Sequence, residues 1–406
     1  MGRGRPIREL LAEPVFRRIW LVGIFGGVAR WLELLVVGIF AFEVTASPFL
    51  VALLVILRML PLAVFGPLVG TLADRWPARL FLLASLSLAT LTAGTMLALF
   101  VFELAQYWHV ALASFVGGLV WTTDMPLRRR LLGDAAGPDR LVPAMGLDIA
   151  SGNATRMLGP LLGGLLYQVL GSIGAFALIA GLTLICLLLI FGVPAGDSPN
   201  EPGPATRVLR EFREAFAFVA RDGERDVLRI LLVTVVFNIW GFPFISMIPV
   251  IGKDDLALEA GWIGGLAALE GGGAFLGALV IAVAGRALNL RALYYFGTMG
   301  FLCFVFAAGW MTEPWPTAVM LFCVGLAGAG FTTMQSTLIY SVAPPHMRGR
   351  MFGLLVLCIG SGLIGFSNVG LMGEWFGGST AIRIIAAEGL VPLVLIALGW
   401  RKLWRG

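Results

Sequence analysis

Twelve long apolar runs, separated by short polar breaks, dominate the chain. They are read here at 19–42, 49–72, 79–102, 108–132, 141–167, 170–193, 227–251, 260–285, 290–312, 316–341, 350–374 and 378–400. Each is about 20 residues or longer, the length a helix needs to cross the hydrocarbon core of a bilayer. None alternates apolar and polar residues in the short segments of a barrel strand. In lipid every backbone polar group must be satisfied inside the element, so the runs predict twelve membrane-spanning helices in an all-α membrane protein.

One longer polar stretch interrupts the series after the sixth run. Pro194 to Pro204 is rich in turn residues and reads as a linker. In the following segment Val208, Phe212, Ala215, Phe216 and Val219 fall on one helical face, with Arg207, Arg210, Arg213 and Arg221 on the rest. Two readings stand: a helix lying on the cytoplasmic membrane surface, or a solvated linker helix packed on the bundle. The break predicts three parts: a six-helix bundle at 1–193, a linker at 194–225 and a second six-helix bundle at 226–406. Two equal halves meeting at a central site is a common plan among secondary transporters.

Composition agrees with the pattern: 59% of the residues are hydrophobic and 13% charged, against roughly a quarter charged in soluble domains. The net charge of +5 does not point to nucleic acid, because its distribution follows the membrane. With the N-terminus inside, Lys253 falls in an outer loop and Arg30, Arg58, Arg156 and Arg383 fall within spans. All the other Lys and Arg residues fall on the cytoplasmic side, which is the positive-inside asymmetry, and both termini are expected there. Met1 to Arg18 is too polar for a cleaved signal, so the first span is expected to remain in the mature protein. Two lysines against 27 arginines suggest a GC-rich genome and a bacterial inner membrane.

Several runs carry candidate chemistry. After the second span comes Gly70-Thr-Leu-Ala-Asp74-Arg75-Trp-Pro-Ala-Arg79. Gly70 permits close helix approach, and Asp74 can accept hydrogen bonds from a helix N-terminus or pair with arginines as a cytoplasmic latch. The fifth span contains Arg156, Gly159, Pro160, Gly163 and Gly164. Its glycines form a small-residue face for tight helix contact, and its proline bends the helix. Asp124, Arg128 and Arg129 close the fourth span, and Arg348 and Arg350 lie at the equivalent place before the eleventh.

These runs resemble the signatures of the major facilitator superfamily, in particular the drug:proton antiporter branch that includes the enterobactin exporter and macrolide efflux proteins. In the Gly70 loop Pro77 and Ala78 replace the usual glycine and arginine, while Arg79 keeps a cation nearby. The Gly-Pro-x-x-Gly-Gly run resembles the antiporter signature of exporters. The resemblance covers nearly the whole chain and implies alternating access between two six-helix halves. By the same resemblance the third, sixth, ninth and twelfth spans lie outside the cavity, which assigns Glu388 of the twelfth a structural part.

Ionisable groups within spans are costly and are functional candidates by default. Here they are Arg30 and Glu33 in the first span, Arg58 in the second, Arg156 in the fifth and Glu270 in the eighth. Glu33 and Arg58 each lie nine residues from the outer ends of consecutive antiparallel spans, ~13 Å deep at 1.5 Å per residue. A Glu33–Arg58 or Glu33–Arg30 pair is therefore expected, with protonation of Glu33 loosening it. Glu270, with no arginine nearby in sequence, is a candidate proton carrier. Asp124 and Asp148 lie toward cytoplasmic ends and are expected in inner gate networks. Asn238 and Trp240, beside a Gly241-Phe-Pro243 break, and Gln335 are candidate cavity residues.

No phosphate-binding loop, zinc-spaced His/Cys cluster or nucleophile elbow is present, so neither catalysis nor a cofactor is expected. The four cysteines lie within apolar runs and read as packing residues. The expectation is a monomeric proton-coupled exporter of small amphiphilic compounds, drug-like or siderophore-like. A lipid or lysolipid mover on the same fold and a non-transporting receptor or scaffold are the alternatives. The intramembrane acids argue against a scaffold, which needs no buried titratable groups.

Overall fold

The computed structural model describes residues 5–73, 77–194, 214, 216, 218–219, 225–284, 289–344 and 347–400. The described elements are all helical. A short helix α1 (Arg5–Ala12), not anticipated above, precedes α2 (Pro14–Thr45), α3 (Pro48–Ala73), α4 (Ala78–Val101), α5 (Tyr107–Ala136) and α6 (Leu141–Phe191). There follow α7 (Arg225–Val236), α8 (Ala260–Ala284), α9 (Leu290–Ala308), α10 (Pro314–Val342), α11 (Arg348–Gly360), α12 (Gly362–Phe376) and α13 (Gly378–Gly399).

Among the described residues, eleven helical stretches are long and apolar enough to cross a membrane. One of them, Pro138–Phe191, has 54 residues, which at 1.5 Å per residue is more than twice the ~30 Å hydrocarbon core. It breaks at Gly171, whose φ of 62° and ψ of −162° suit glycine alone. The stretch is two spans joined at that glycine, which makes twelve spans among the described residues. Other boundaries also have local causes. The side chain of Asn289 accepts from the backbone N–H groups of Arg291 and Ala292 and starts α9. At the start of α5, Gln106 and His109 cap each other's backbone.

The chain forms two compact units: residues 1–40 with 57–203, and residues 41–56 with 204–406. In the first, Leu10, Phe16, Ile19, Leu82, Leu127, Leu132 and Ile190 form a buried cluster. Fully buried Leu10 in this cluster explains why α1 is ordered. α2 and α6 touch at glycine: a Cβ on Gly159 would lie 2.6 Å from Trp31 Cβ and 2.9 Å from Leu32 N. Small residues permit this approach in lipid, where packing rather than water exclusion holds helices together.

The second unit repeats the device between α8 and α10, where a Cβ on Gly325 would collide with the backbone oxygen of Glu270. Its other feature is an irregular span. α7 passes into a π-helical turn, Phe237–Gly241, and a 3-10 segment, Phe242–Met247. Pro243 causes this irregularity, because it lacks an N–H and cannot bond to Ile239 O one turn earlier. Phe237 stacks on Phe331 at 3.7 Å and packs against Phe301 at 4.7 Å, which fills the space beside the turn. Residues 41–56, the hairpin that joins α2 and α3, belong to this unit: Ser47 Oγ donates to Glu374 at 2.7 Å and Glu43 pairs with Lys253.

Of the expected linker and surface helix, only Glu214, Phe216, Phe218 and Val219 fall within the described residues, and they are helical. Asp74 and Arg75 lie outside the described residues.

Candidate functional site

The first unit encloses a cavity of about 70 Å³ lined by Arg30, Glu33, Arg58, Trp121, Asp124 and Cys186, among others. At roughly 15 Å³ per water this is room for several water molecules. Arg30 and Glu33 stand one turn apart on α2 and face it together. Arg58 comes from α3, and Trp121 and Asp124 come from α5. Gly118 brings α3 and α5 close enough for this, since any side chain there would strike the backbone carbonyl of Arg58.

The cavity charges are paired. Arg58 Nη2 donates to Glu33 Oε2 at 3.0 Å, and Arg30 Nη2 donates to Asp124 Oδ2 at 2.9 Å. Of the two partners expected for Glu33, the structure selects Arg58. Arg30 turns to Asp124 and lies over the Trp121 ring at 5.4 Å. Arg58 Nη1 is buried with no hydrogen-bond partner among the described residues.

A second network continues from the first. Arg128 lies 3.8 Å from Asp124 and donates to Asp148 Oδ1 at 2.5 Å, while Arg129 donates to Asp148 Oδ2 at 3.2 Å. Asp124 thus has arginines on two sides, one from each group of charges. Sequence spacing set Asp124 apart from the cavity; the structure makes it a wall of the cavity, because it reaches Arg30 on α2, 94 residues away. Cys186, a presumed packing residue, also lines the cavity, and its thiol lies 3.6 Å from Val22 O.

The remaining residues distribute as follows. Arg156 lies over the Trp31 ring at 5.3 Å. Gly159, Pro160, Gly163 and Gly164 are buried along α6, and Gly163 lies against Leu32. Gly70 is on α3. Arg79 donates to the carbonyls of Ile190 and Phe191, satisfying the C-terminal end of α6. Arg348 stacks on Tyr340 at 4.0 Å, and Arg350 pairs with Glu214 at 2.9 Å.

In the second unit Glu270 is buried on α8. Asn238 is also buried and donates to Thr234 O within its own helix, while Gln335 Nε2 reaches Thr234 Oγ1 at 3.5 Å. Trp240 instead donates its indole N–H to Glu388 at 3.0 Å. That contact joins two residues that sequence reasoning placed in different roles. No spacing signal connects positions 240 and 388.

Twelve spans among the described residues, with paired charges around a cavity in the first unit, describe a multi-pass membrane protein. The sequence profile of the Major Facilitator Superfamily matches residues 19–367. The chain belongs to that superfamily of secondary transporters. It is 26% identical over 388 residues to the uncharacterised MFS-type transporter YfiS of Bacillus subtilis (strain 168), covering 92% of this chain and 90% of that one. It is 24% identical to the multidrug resistance protein MdtG of Serratia proteamaculans (strain 568), covering 71% and 69%. Macrolide efflux protein A of Streptococcus pyogenes is 23% identical over 216 residues, 52% of each chain. Among solved structures, the nucleoside transporter NupG aligns with a TM-score of 0.73 at 14% identity over 97% of this chain and 99% of its own. The peptide transporter POT with sulfate aligns at 0.72 and 12% identity over 98% of both. These two likenesses speak to the fold.

Proposed function

We propose that the protein is a proton-coupled exporter of small amphiphilic compounds, acting as a monomer in a bacterial inner membrane with both termini in the cytoplasm. The observation that carries this is the cavity of the first unit, where two carboxylates each face an arginine within one enclosed, partly apolar space. A buried ion pair is held by its own neutrality. A proton on Glu33 or Asp124 removes the negative charge and leaves a buried arginine seeking another partner. That change is local, reversible and large enough to bias two conformations. The efflux relatives support outward movement, and the scarcity of charge elsewhere in the spans supports an amphiphilic cargo rather than a sugar or an ion.

The test uses the purified protein in proteoliposomes with an imposed pH gradient and a panel of lipophilic dyes. Gradient-driven dye movement is expected from the parent protein. In Glu33→Gln, movement down the dye's own gradient should persist while its dependence on pH disappears. Parent transport that ignores the pH gradient overturns the coupling, and a pH response left intact in the variant removes Glu33 from it.

A further inference from the structure

Glu388 occupies an unusual place. It is ten residues into α13, ~15 Å along a helix at 1.5 Å per residue, which is half the hydrocarbon thickness. It is nevertheless exposed, on the same helical face as Val391 and Leu395, which are 62% and 63% exposed. A mid-span face with apolar exposed residues at i+3 and i+7 suits contact with lipid. A carboxylate there is expensive unless it is neutralised.

Its protein contacts are built and one-sided. Trp240 Nε1 and Asn368 Nδ2 both donate to Oε2, each at 3.0 Å. Trp240 comes from the π-helical turn and Asn368 from α12. Gly389 brings α13 against the turn, since a Cβ there would lie 2.6 Å from Trp240 Cβ. Glu388 Oε1 has no hydrogen-bond partner among the described residues, and no cation of those residues lies within ion-pair distance of either oxygen.

Among the described side chains, the packed elements supply no cation to this position. On α13 itself, Arg383 bonds Thr380 and stacks on Trp310 at 4.2 Å. On α12 the charged group is Glu374, which binds Ser47. On α7, Asp226 and Arg229 lie together at the far end, with Arg291 of α9 also on Asp226. Tyr295 of α9 gives its hydroxyl to Leu393 O, and Tyr294 bonds within the α7 contact at Thr234 and Ile230.

We infer that Glu388, Asn368 and Trp240 form a bilayer-facing site for the protonated amine of a lipophilic compound. The ammonium pairs with Oε1 and the apolar tail lies along the furrow between α12 and α13, beside Ile364 and Leu371, which flank Asn368. The depth selects the ligand class: a phospholipid headgroup amine sits at the interface, whereas this carboxylate lies at the middle of the hydrocarbon. The two neutral donors hold the carboxylate in place without cancelling its charge, and this is the arrangement that recognises a cation. The inference narrows the amphiphiles of the proposed function to basic ones and rests on that reading only for its physiological purpose.

The test is equilibrium binding of radiolabelled dodecylamine to the full chain in phosphatidylcholine nanodiscs, with no pH gradient. Saturable binding of one amine per chain is expected, displaced by unlabelled dodecylamine and not by dodecanol. Glu388→Gln should weaken it at least tenfold. Val391→Trp, which touches none of the hydrogen bonds, should block the furrow and act similarly even if the first variant fails to fold. Undiminished binding in either folded variant, equal competition by dodecanol, or no saturable binding overturns the site. Because no transport is measured, loss of this site and failure of proton coupling are separate results.

Discussion

The two units place their charges differently. In the first, Glu33, Arg58, Arg30 and Asp124 pair with one another inside the spans, around a cavity. In the second, the ion pairs among the described residues sit at or near helix ends: Asp226 with Arg229 and Arg291 at the starts of α7 and α9, Arg350 near the start of α11 with Glu214, and Lys253, within the π turn Ile251–Asp255, with Glu43. It carries two mid-span acids, Glu270 buried on α8 and Glu388 exposed on α13, and Glu388 meets neutral donors. Ion pairs at helix ends lie nearer to water, here through partly exposed Arg291 and Lys253 although Asp226 itself is buried, whereas pairs within a span must offset desolvation with good geometry. Helices pack in lipid without them, as the glycine contacts of both units demonstrate. The mid-span pairs of the first unit are therefore a cost that stability does not require, and this is the physical ground for reading them as functional.

The sharpest way to break this comparison is to remove one partner in each unit. Arg58→Leu strands the Glu33 carboxylate in a largely buried site and should cost about 3–5 kcal/mol, measured by denaturant titration in detergent micelles. Neutralising both, in Glu33→Gln with Arg58→Leu, should recover most of that loss. A single variant as stable as the parent means the pair is not held in the solution structure.

Overpacking comes next. Gly325→Val in the second unit and Gly159→Val in the first should each cost about 1–3 kcal/mol, because the new side chains meet backbone of a neighbouring helix. Similar losses in the same unfolding assay indicate that both units are assembled by the same means. A neutral Gly159→Val indicates a looser first unit.

At a helix end the penalty should be smaller. Arg291 is about one-third exposed, and Asp226 retains Arg229 and the indole N–H of Trp400 when it is gone. Arg291→Leu should cost about 1 kcal/mol and lose its effect in high salt. A loss as large as that of Arg58→Leu would erase the distinction between the units.

The smallest effect is expected from Trp240→Phe. It removes one of two donors to Glu388 and keeps the ring, for about 0.6 kcal/mol, the average for a hydrogen bond between membrane helices. A loss of several kcal/mol makes the Trp240–Glu388–Asn368 contact a structural brace, and amine binding that remains at parent strength in this variant shows Trp240 to be dispensable for recognition.

Much was legible along the chain because lipid imposes one rule on every segment. Spans must be helical, about 20 residues long and apolar, so their number and limits follow from local composition. Depth was legible too: counting residues from the ends of two adjoining spans put Glu33 and Arg58 at one level, and they meet at 3.0 Å. The break near Pro243 needed only the missing N–H of proline.

What the sequence could not supply were partners between spans far apart in the chain. Arg30 takes Asp124, 94 residues away, and Trp240 takes Glu388, 148 residues away. Helical periodicity gives the face of each helix but not which helix lies against it. That choice is made where glycines let particular pairs of helices close: Gly118 on Arg58, Gly159 on α2, and Gly389 on Trp240. Composition and length determined a twelve-span membrane protein with charged residues within the spans of both halves. Tertiary packing decided that four of those charges share a cavity, and that a carboxylate on a span assigned a structural part is exposed, with one oxygen unpartnered among the described residues.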